Sequence, residues 1–196
     1  MMRLWRGSLA ALAAGMLCLW AGQASAALLT EQDVDQDGEK EIVLENAWAR
    51  LTLKPSVGAA TSLQVKPGGT ELVYSGGKGR PTLLGDAITQ QGAGDYTNQP
   101  YSFQVMQNTD AIASVKLWRR GQTEKLRWIT ITKVITMRVD RPEIEAAYEV
   151  HNEEASKETY TLGLWVHNEL SAAEQEVTYY IPLPTGLTRR KVASGP

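Results

Sequence analysis

From residue 41 onward, apolar and polar side chains alternate in twos, and turn-forming residues interrupt the alternation every eight to twelve positions. That spacing predicts short antiparallel strands in an all-β domain. In residues 49–54, Ala49, Leu51 and Leu53 share one face while Arg50, Thr52 and Lys54 share the other, and Pro55 ends the run. Residues 61–66 repeat the pattern with Leu63 and Val65 inward, and Pro67-Gly68-Gly69 supplies a turn into residues 71–74. Further strands are expected at 101–107 and 112–119, and then at 126–139 and 144–151, joined through Asp140-Arg141-Pro142. In the last of these Ile144, Ala146, Tyr148 and Val150 form an apolar face, and Glu143, Glu145, Ala147 and Glu149 a wet one. Apolar residues on both faces of 126–139 (Ile129, Ile131, Val134, Ile135, Met137) predict a central strand covered on two sides. Residues 159–167 and 177–181 complete the set, and no segment has the length and period of a substantial helix. Residues 75–100 are rich in glycine and turn formers, so they are expected as one long irregular surface loop, a length uncommon without a function.

The first 26 residues break this pattern. Arg3 and Arg6 precede an apolar run over 9–20, and Ala24-Ser25-Ala26 follows it. This is the three-part layout of a helical, cleavable secretory signal. The apolar run covers 12 positions, short of the roughly 20 that a spanning helix needs. A periplasmic or secreted location is therefore expected, with no membrane span after cleavage. The expected organisation is a signal peptide at 1–26, an acidic segment at 27–40, an antiparallel β-sandwich at 41–184 and a polar tail at 185–196. Cys18, the chain's one cysteine, leaves with the signal, so the sandwich must be held by its core and not by a disulfide. Losing Arg3 and Arg6 moves the net charge from −2 to −4, and no basic cluster exceeds Arg189-Arg190-Lys191. That balance argues against nucleic acid as a partner.

Two local patterns carry chemistry. Asp33-Val34-Asp35-Gln36-Asp37-Gly38-Glu39-Lys40-Glu41 places alternate carboxylates before a glycine turn, the donor arrangement a hard cation such as Ca²⁺ requires. Leu44 stands where an EF-hand has its twelfth-position acid, so the expectation is a shorter calcium loop with Asp33, Asp35, Asp37 and Glu41 as ligands; the plainer reading is a solvated acidic turn. The second pattern is Trp165, His167 and Asn168. On a strand, Trp165 and His167 point the same way, so an indole to stack on a sugar ring would stand beside an imidazole and an amide to bond hydroxyls. A core tryptophan beside an edge histidine is the plainer alternative. Arg127 and Trp128, near Trp118, Arg119 and Arg120, offer a comparable mixture of cation and ring. Glu143, Glu145 and Glu149 have the spacing of an inverting glycosidase pair, but any polar strand face has it. The chain has no G-x-S-x-G elbow, and His151 and His167 are its two imidazoles, in separate strands, which argues weakly for zinc.

The acidic opening 33–41 leading into Ile42-Val43-Leu44-Glu45-Asn46, the strand 49–55, the glycine turn Val57-Gly58-Ala59-Ala60-Thr61-Ser62-Leu63, the hairpin 131–150 with His151-Asn152, and then 164–168 follow one another in a familiar order. The chain resembles the galactose mutarotase-like β-supersandwich families, and is most similar to the β-sandwich domain of family 57-type α-glucanotransferases and α-amylases. The resemblance implies an antiparallel sandwich and a carbohydrate ligand. It does not transfer catalysis. Mutarotases pair a histidine acid with a late glutamate base, and although His167 resembles the former, the chain ends before a position for the latter. It resembles a shortened member or one part of a longer product. The leading expectation is a carbohydrate-binding sandwich at Trp165, His167, Asn168, Arg127 and Trp128. The alternatives are an epimerase or a glycan hydrolase or lyase using His167, and an envelope interaction module presenting residues 75–100.

Overall fold

A computed structural model describes residues 26–66, 68–73, 83–89, 95–124, 126–153, 163–168, 177–183 and 186–192. In chain order the strands are β1 (Leu28–Gln32), β2 (Glu41–Glu45), β3 (Ala49–Lys54), β4 (Ala59–Val65), β5 (Thr70–Glu71) and β6 (Leu83–Thr89). They continue with β7 (Ser102–Asn108), β8 (Ile112–Arg120), β9 (Ile129–Arg138), β10 (Ile144–Asn152), β11 (Gly163–Asn168), β12 (Val177–Leu183) and β13 (Gly186–Val192). One antiparallel sheet runs β1-β2-β3-β4-β6-β11 with β5 beside β4, a second runs β10-β9-β8-β7, and β12 pairs with β13. The chain is thus an all-β antiparallel sandwich. Among the described residues the sole helical turn is a 3₁₀ turn at Pro55–Val57, and no helix is long and apolar enough to cross a membrane.

The two sheets meet through the faces that the alternation marked as apolar. Ile42 and Leu44 of β2 and Leu51 and Leu53 of β3 pack in one cluster with Ala113, Val115 and Leu117 of β8 and Ile135 and Met137 of β9. Each fully buried leucine or isoleucine contributes about 1.5–3 kcal/mol. A second, smaller cluster gathers Ile88, Tyr96, Leu126, Ile129 and Ile131, with Tyr148 and Leu164 against it. Two asparagines stitch the sheets together. Asn46 Nδ2 donates to Arg138 O (2.9 Å) and Arg141 O (3.1 Å), while its Oδ1 accepts from Trp48 and Ala49 amides. Asn108 exchanges two bonds with the backbone of Leu29, standing in for a strand residue between β7 and β1.

Several expectations change. Residues 75–100 are not one loop, because β6 runs through them and joins the larger sheet. On its inner face Asp86 stands between Leu84 and Ile88, and this buried carboxylate broke the apolar period that would have marked a strand. The strand expected at 126–139 begins at Ile129, and Leu126–Trp128 belong to a turn. It is also buried on one face only: Ile129, Ile131, Lys133, Ile135 and Met137 are covered, while Thr130, Thr132, Val134, Thr136 and Arg138 are partly exposed. In β4, Leu63 packs against the core, but Val65 lies at the rim and is 38% exposed. A bulge between Thr52 and Leu53 pairs Thr52 with Ser62 and Leu53 with Ala60, leaving Thr61 as the extra residue. Within the stretch expected as a polar tail, β13 pairs antiparallel with β12. Residues 159–162 of the expected later strand lie outside the described residues.

Candidate functional site

The most concentrated polar chemistry lies inside the sandwich. Lys133 is on the inner face of β9 between Ile131 and Ile135, and Asp86 is on that of β6 between Leu84 and Ile88. The pair therefore separates the two apolar clusters. Lys133 Nζ donates to Asp86 Oδ2 (2.8 Å), to Leu84 O (2.7 Å) and to Gly58 O. Three acceptors use all three protons of an ammonium group. Burial pulls the lysine's pKa below its ordinary value, opposed by the Asp86 charge and hydrogen bond. With every proton engaged and no solvent access, the ammonium has neither a lone pair nor a route for nucleophilic or acid–base work. Its geometry is structural.

Two tyrosines flank the pair. Lys133 Nζ lies 4.8 Å from the Tyr101 ring centroid and 6.0 Å from that of Tyr148. Gly58 makes this approach possible: its φ is +62°, and a Cβ there would stand 2.2 Å from Tyr101 Cδ2. Burial first, and the Asp86 charge next, push both phenols well above the ordinary tyrosine range. None of these residues was singled out as a site from the sequence. The available signal was Lys133 itself, a lysine at an inward register of an Ile-x-Ile-x-Lys-x-Ile-x-Met alternation.

The acidic opening folds as a loop closed by its own side chains. Asp33 Oδ2 accepts from Gly38 N (3.1 Å), Asp35 Oδ1 from Asp37 N (3.3 Å), and Asp37 Oδ1 from Glu39 N (2.9 Å). Gly38, at φ +90°, lets the chain reverse. The structure brings Asp33, Asp35 and Asp37 together, each offering an oxygen within 4.8 Å of the others. Glu41 is turned inward at 1% exposure, and its Oε2 accepts from Val34 N (2.7 Å). The chemistry of this donor set suits a hard cation. A cation of the chain's own already stands there: Lys54 Nζ is 2.8 Å from Asp35 Oδ2 and 3.3 Å from Glu41 Oε1, and also bonds Asp37. Partial burial works to lower the Lys54 pKa, but the hydrogen bonds to Asp35, Asp37 and Glu41 outweigh it and raise it. The Lys54 bond, in turn, holds Asp37 below the usual carboxylate range.

The predicted sugar residues fall in two places. Trp128, just before β9, has the guanidinium of Arg127 5.0 Å from its ring centroid and that of Arg120 at 5.3 Å. Arg120 is fixed in turn by Glu153 (2.8 Å) and by the carbonyl of Arg127. The structure thus brings Arg127 and Trp128 together and adds Arg120, but the indole is already engaged by guanidinium. Trp165, His167 and Asn168 lie on β11, where Trp165 is in register with Ala87, His167 with Gly85 and Asn168 with Leu83. Leu164 and Val166, the alternate registers, stand opposite the buried Ile88 and Asp86. The side chains of Trp165, His167 and Asn168 lie outside the described residues. Glu145 and Glu149 are exposed on β10, as is His151.

Beside Trp128, a loop closes this end of the sandwich. Asp95 Oδ2 accepts from Gln122 N (3.0 Å), Thr123 N (2.9 Å) and Thr123 Oγ1 (2.8 Å), and Tyr96 Oη donates to Ile129 O (2.8 Å). Arg119 donates to Pro100 O (2.7 Å) and to Asp95 O.

Among solved structures, the chain is similar to the crystal structure of a 4-α-glucanotransferase from Thermococcus litoralis. The TM-score is 0.54 at 20% identity, over 83% of this chain and 33% of that one. The chain therefore spans about a third of that enzyme's length. At this identity the likeness is one of fold. No protein-family model matches the chain, and no curated protein matches it.

Proposed function

We propose that the chain is an exported, periplasmic or secreted, β-sandwich protein that binds a carbohydrate on the outer side of its larger sheet. The observation that carries this reading is the register of β11. Trp165 and His167 stand opposite Ala87 and Gly85, which bring at most a methyl group, while the alternate positions of β11 stand opposite the buried Ile88 and Asp86. Strand residues alternate between faces. Alternation therefore sets Trp165 and His167 at the registers beside Ala87 and Gly85, where an indole could take a sugar ring against its face, and the His167 imidazole, with the Asn168 amide past the bulge that follows it, would supply bonds to hydroxyls. The fold likeness to a 4-α-glucanotransferase supports the ligand class and makes α-glucans the first candidates. A galactose mutarotase-like relationship belongs to the same proposal.

Isothermal titration of the folded protein with α-glucan oligosaccharides and a panel of other glycans tests the reading. Saturable binding to at least one glycan is expected, lost in Trp165→Ala. Folded protein that binds nothing in the panel would overturn it.

A further inference from the structure

Asp37-Gly38 is the one Asp-Gly step in the chain, and no Asn-Gly step occurs. In such a step the glycine nitrogen, unhindered by a Cβ on its own residue, can attack the aspartate side chain. Gly38 N bonds to Asp37 Cγ, and one carboxyl oxygen leaves as water with the amide proton, closing a five-membered succinimide. One water then opens the ring at either carbonyl, which restores aspartate or leaves isoaspartate, whose main chain runs through Cβ and Cγ. The change is an isomerisation and needs no oxidant or cofactor. Crowding does not guard this step: Gly38, at φ +90°, has open space where a Cβ would stand, and the Asp37 side chain is 42% exposed.

Hydrogen bonds hold the reacting atoms instead. The attacking nitrogen is committed, since Gly38 N donates to Asp33 Oδ2 (3.1 Å). The attacked carboxyl is held at both oxygens: Asp37 Oδ1 accepts from Glu39 N (2.9 Å), and Asp37 Oδ2 accepts from Lys54 Nζ. Lys54 is not a loose surface partner. Its side chain is 14% exposed, and it also bonds Asp35 Oδ2 (2.8 Å) and stands 3.3 Å from Glu41 Oε1. Each end of the bond that would have to form is therefore pinned by a residue outside the dipeptide.

We propose that Asp37-Gly38 is a latent isoaspartate site, kept closed in the folded protein by Lys54 on the carboxyl group and Asp33 on the amide. The loop uses both members of the reactive pair, Gly38 for the backbone reversal at positive φ and Asp37 as a partner of Lys54. Isomerisation would add a methylene to the main chain and shorten the side chain by the same group. Asp37 would then no longer meet Lys54 as it does, and the run between Val34 and Glu41 would lose part of its closure. Lysine and dipeptide thus protect each other. The proposal is independent of the carbohydrate reading and of any ion in the loop.

Ageing the protein at neutral pH tests it, with isoaspartate counted by an isoaspartyl methyltransferase and located at Asp37 by fragmentation mass spectrometry. Accumulation should be at least tenfold slower in the folded protein than in the same chain held in denaturant, because three hydrogen bonds must be given up before the ring closes. Lys54→Met and Asp33→Ala, each confirmed as folded by circular dichroism, should each raise the folded rate threefold or more. A purely structural role for these side chains would lower the melting midpoint and leave the isoaspartate rate alone. A folded rate equal to that in denaturant overturns the proposal, as does an unchanged rate in both folded variants. Should Lys54→Met not fold, the exposed Asp33→Ala decides alone.

Discussion

Lys133 Nζ stands 2.8 Å from Asp86 Oδ2, with neither side chain reached by solvent. The pair bridges the sandwich, because Lys133 belongs to the four-stranded sheet and Asp86 to the larger one. Removing one partner strands the other as an uncompensated buried charge. Lys133→Met or Asp86→Leu should therefore each lower stability by about 3–5 kcal/mol. The double variant should be more stable than either single one, because no charge is left alone. It should not recover fully, since the carbonyls of Gly58 and Leu84 lose the donor they share. Urea midpoints of the four proteins check this; a double variant whose cost is the sum of the singles would mean that the two charges do not interact.

Gly58 should tolerate no side chain. Its φ of +62° is strained for any L-residue, and the space beside it is filled by the Tyr101 ring. Gly58→Ala combines a left-handed backbone penalty with overpacking, and about 2–4 kcal/mol of lost stability is expected. The thermal midpoint of Gly58→Ala should rise when Tyr101→Leu is added, because the smaller side chain relieves the contact. No relief would assign the whole cost to the backbone.

Much of this fold is legible in period-two alternation alone. Ala49, Leu51 and Leu53 mark one face of β3, and Ile144, Ala146 and Tyr148 that of β10, and both sets point inward. The misreadings have a common physical source, which is that polar residues sit where burial would be assumed to forbid them. Asp86 made β6 read as loop, and Lys133 concealed that the inward face of β9 runs unbroken from Ile129 to Met137. Val134 suggested a second covered face, yet it stands in register with Lys116 and Ala147 on the outer side. A buried ion pair is a long-range fact, formed by residues 47 positions apart, and local patterns do not encode it. The acidic loop was legible as a cluster, whereas its lysine counterion on β3 was not.

Stability should fall on both sides of neutrality, for different groups. Burial works to raise the Asp95 pKa, but the Thr123 and Gln122 hydrogen bonds outweigh it and hold it below the ordinary 3.8. A folded pKa below the unfolded one contributes stability that is present above pH 3.8 and lost as pH falls further through the folded value. Asp95→Asn should cost about 1–3 kcal/mol at neutral pH and flatten this acid limb. On the alkaline side, burial and then the Asp95 charge push Tyr96 from 10.0 up to about 12, and Tyr101 and Tyr148 move the same way. Folded pKa values above unfolded ones give stability that is complete below pH 10 and disappears as pH rises through about 12. Tyrosinate absorbance should then appear together with loss of the β-sheet circular dichroism signal; gradual ionisation of a still-folded chain would contradict the burial of these phenols.

A calcium ion at the acidic loop, as the sequence pattern proposes, would have to compete with Lys54 for the same oxygens. Asp35, Asp37 and Glu41 all contact the Lys54 ammonium, so a divalent ion must displace it before using the full set. The thermal midpoint of the unmodified protein should change little between chelator and millimolar-scale Ca²⁺, because a ligand stabilises only in proportion to its occupancy of the native state. Lys54→Met should lower the midpoint in chelator and recover it in Ca²⁺. A large calcium shift without the mutation would show that the lysine yields readily, and no shift in the variant would leave the loop as a purely internal salt-bridge network.

The two tryptophan sites make opposite predictions for glycan binding. At Trp128 the ring lies under Arg120 and Arg127, and Arg120 is anchored by Glu153, so a sugar would have to break cation–π contacts worth about 0.5–1 kcal/mol each at an exposed site. At Trp165 the neighbouring strand presents Gly85 and Ala87 at the paired registers, and a proposed sugar would meet only small side chains of that strand. Trp165→Ala should therefore weaken the binding of a responsive glycan by tenfold or more, in line with the roughly 1–2 kcal/mol expected for loss of a stacked ring. Trp128→Ala should change affinity less than threefold while lowering the thermal midpoint, as it frees two guanidinium groups from their ring. Affinity electrophoresis in a glycan-loaded gel, read beside melting curves, separates the two effects. The reverse ranking would move the sugar from the larger sheet to the end of β9, and make the arginines its ligands.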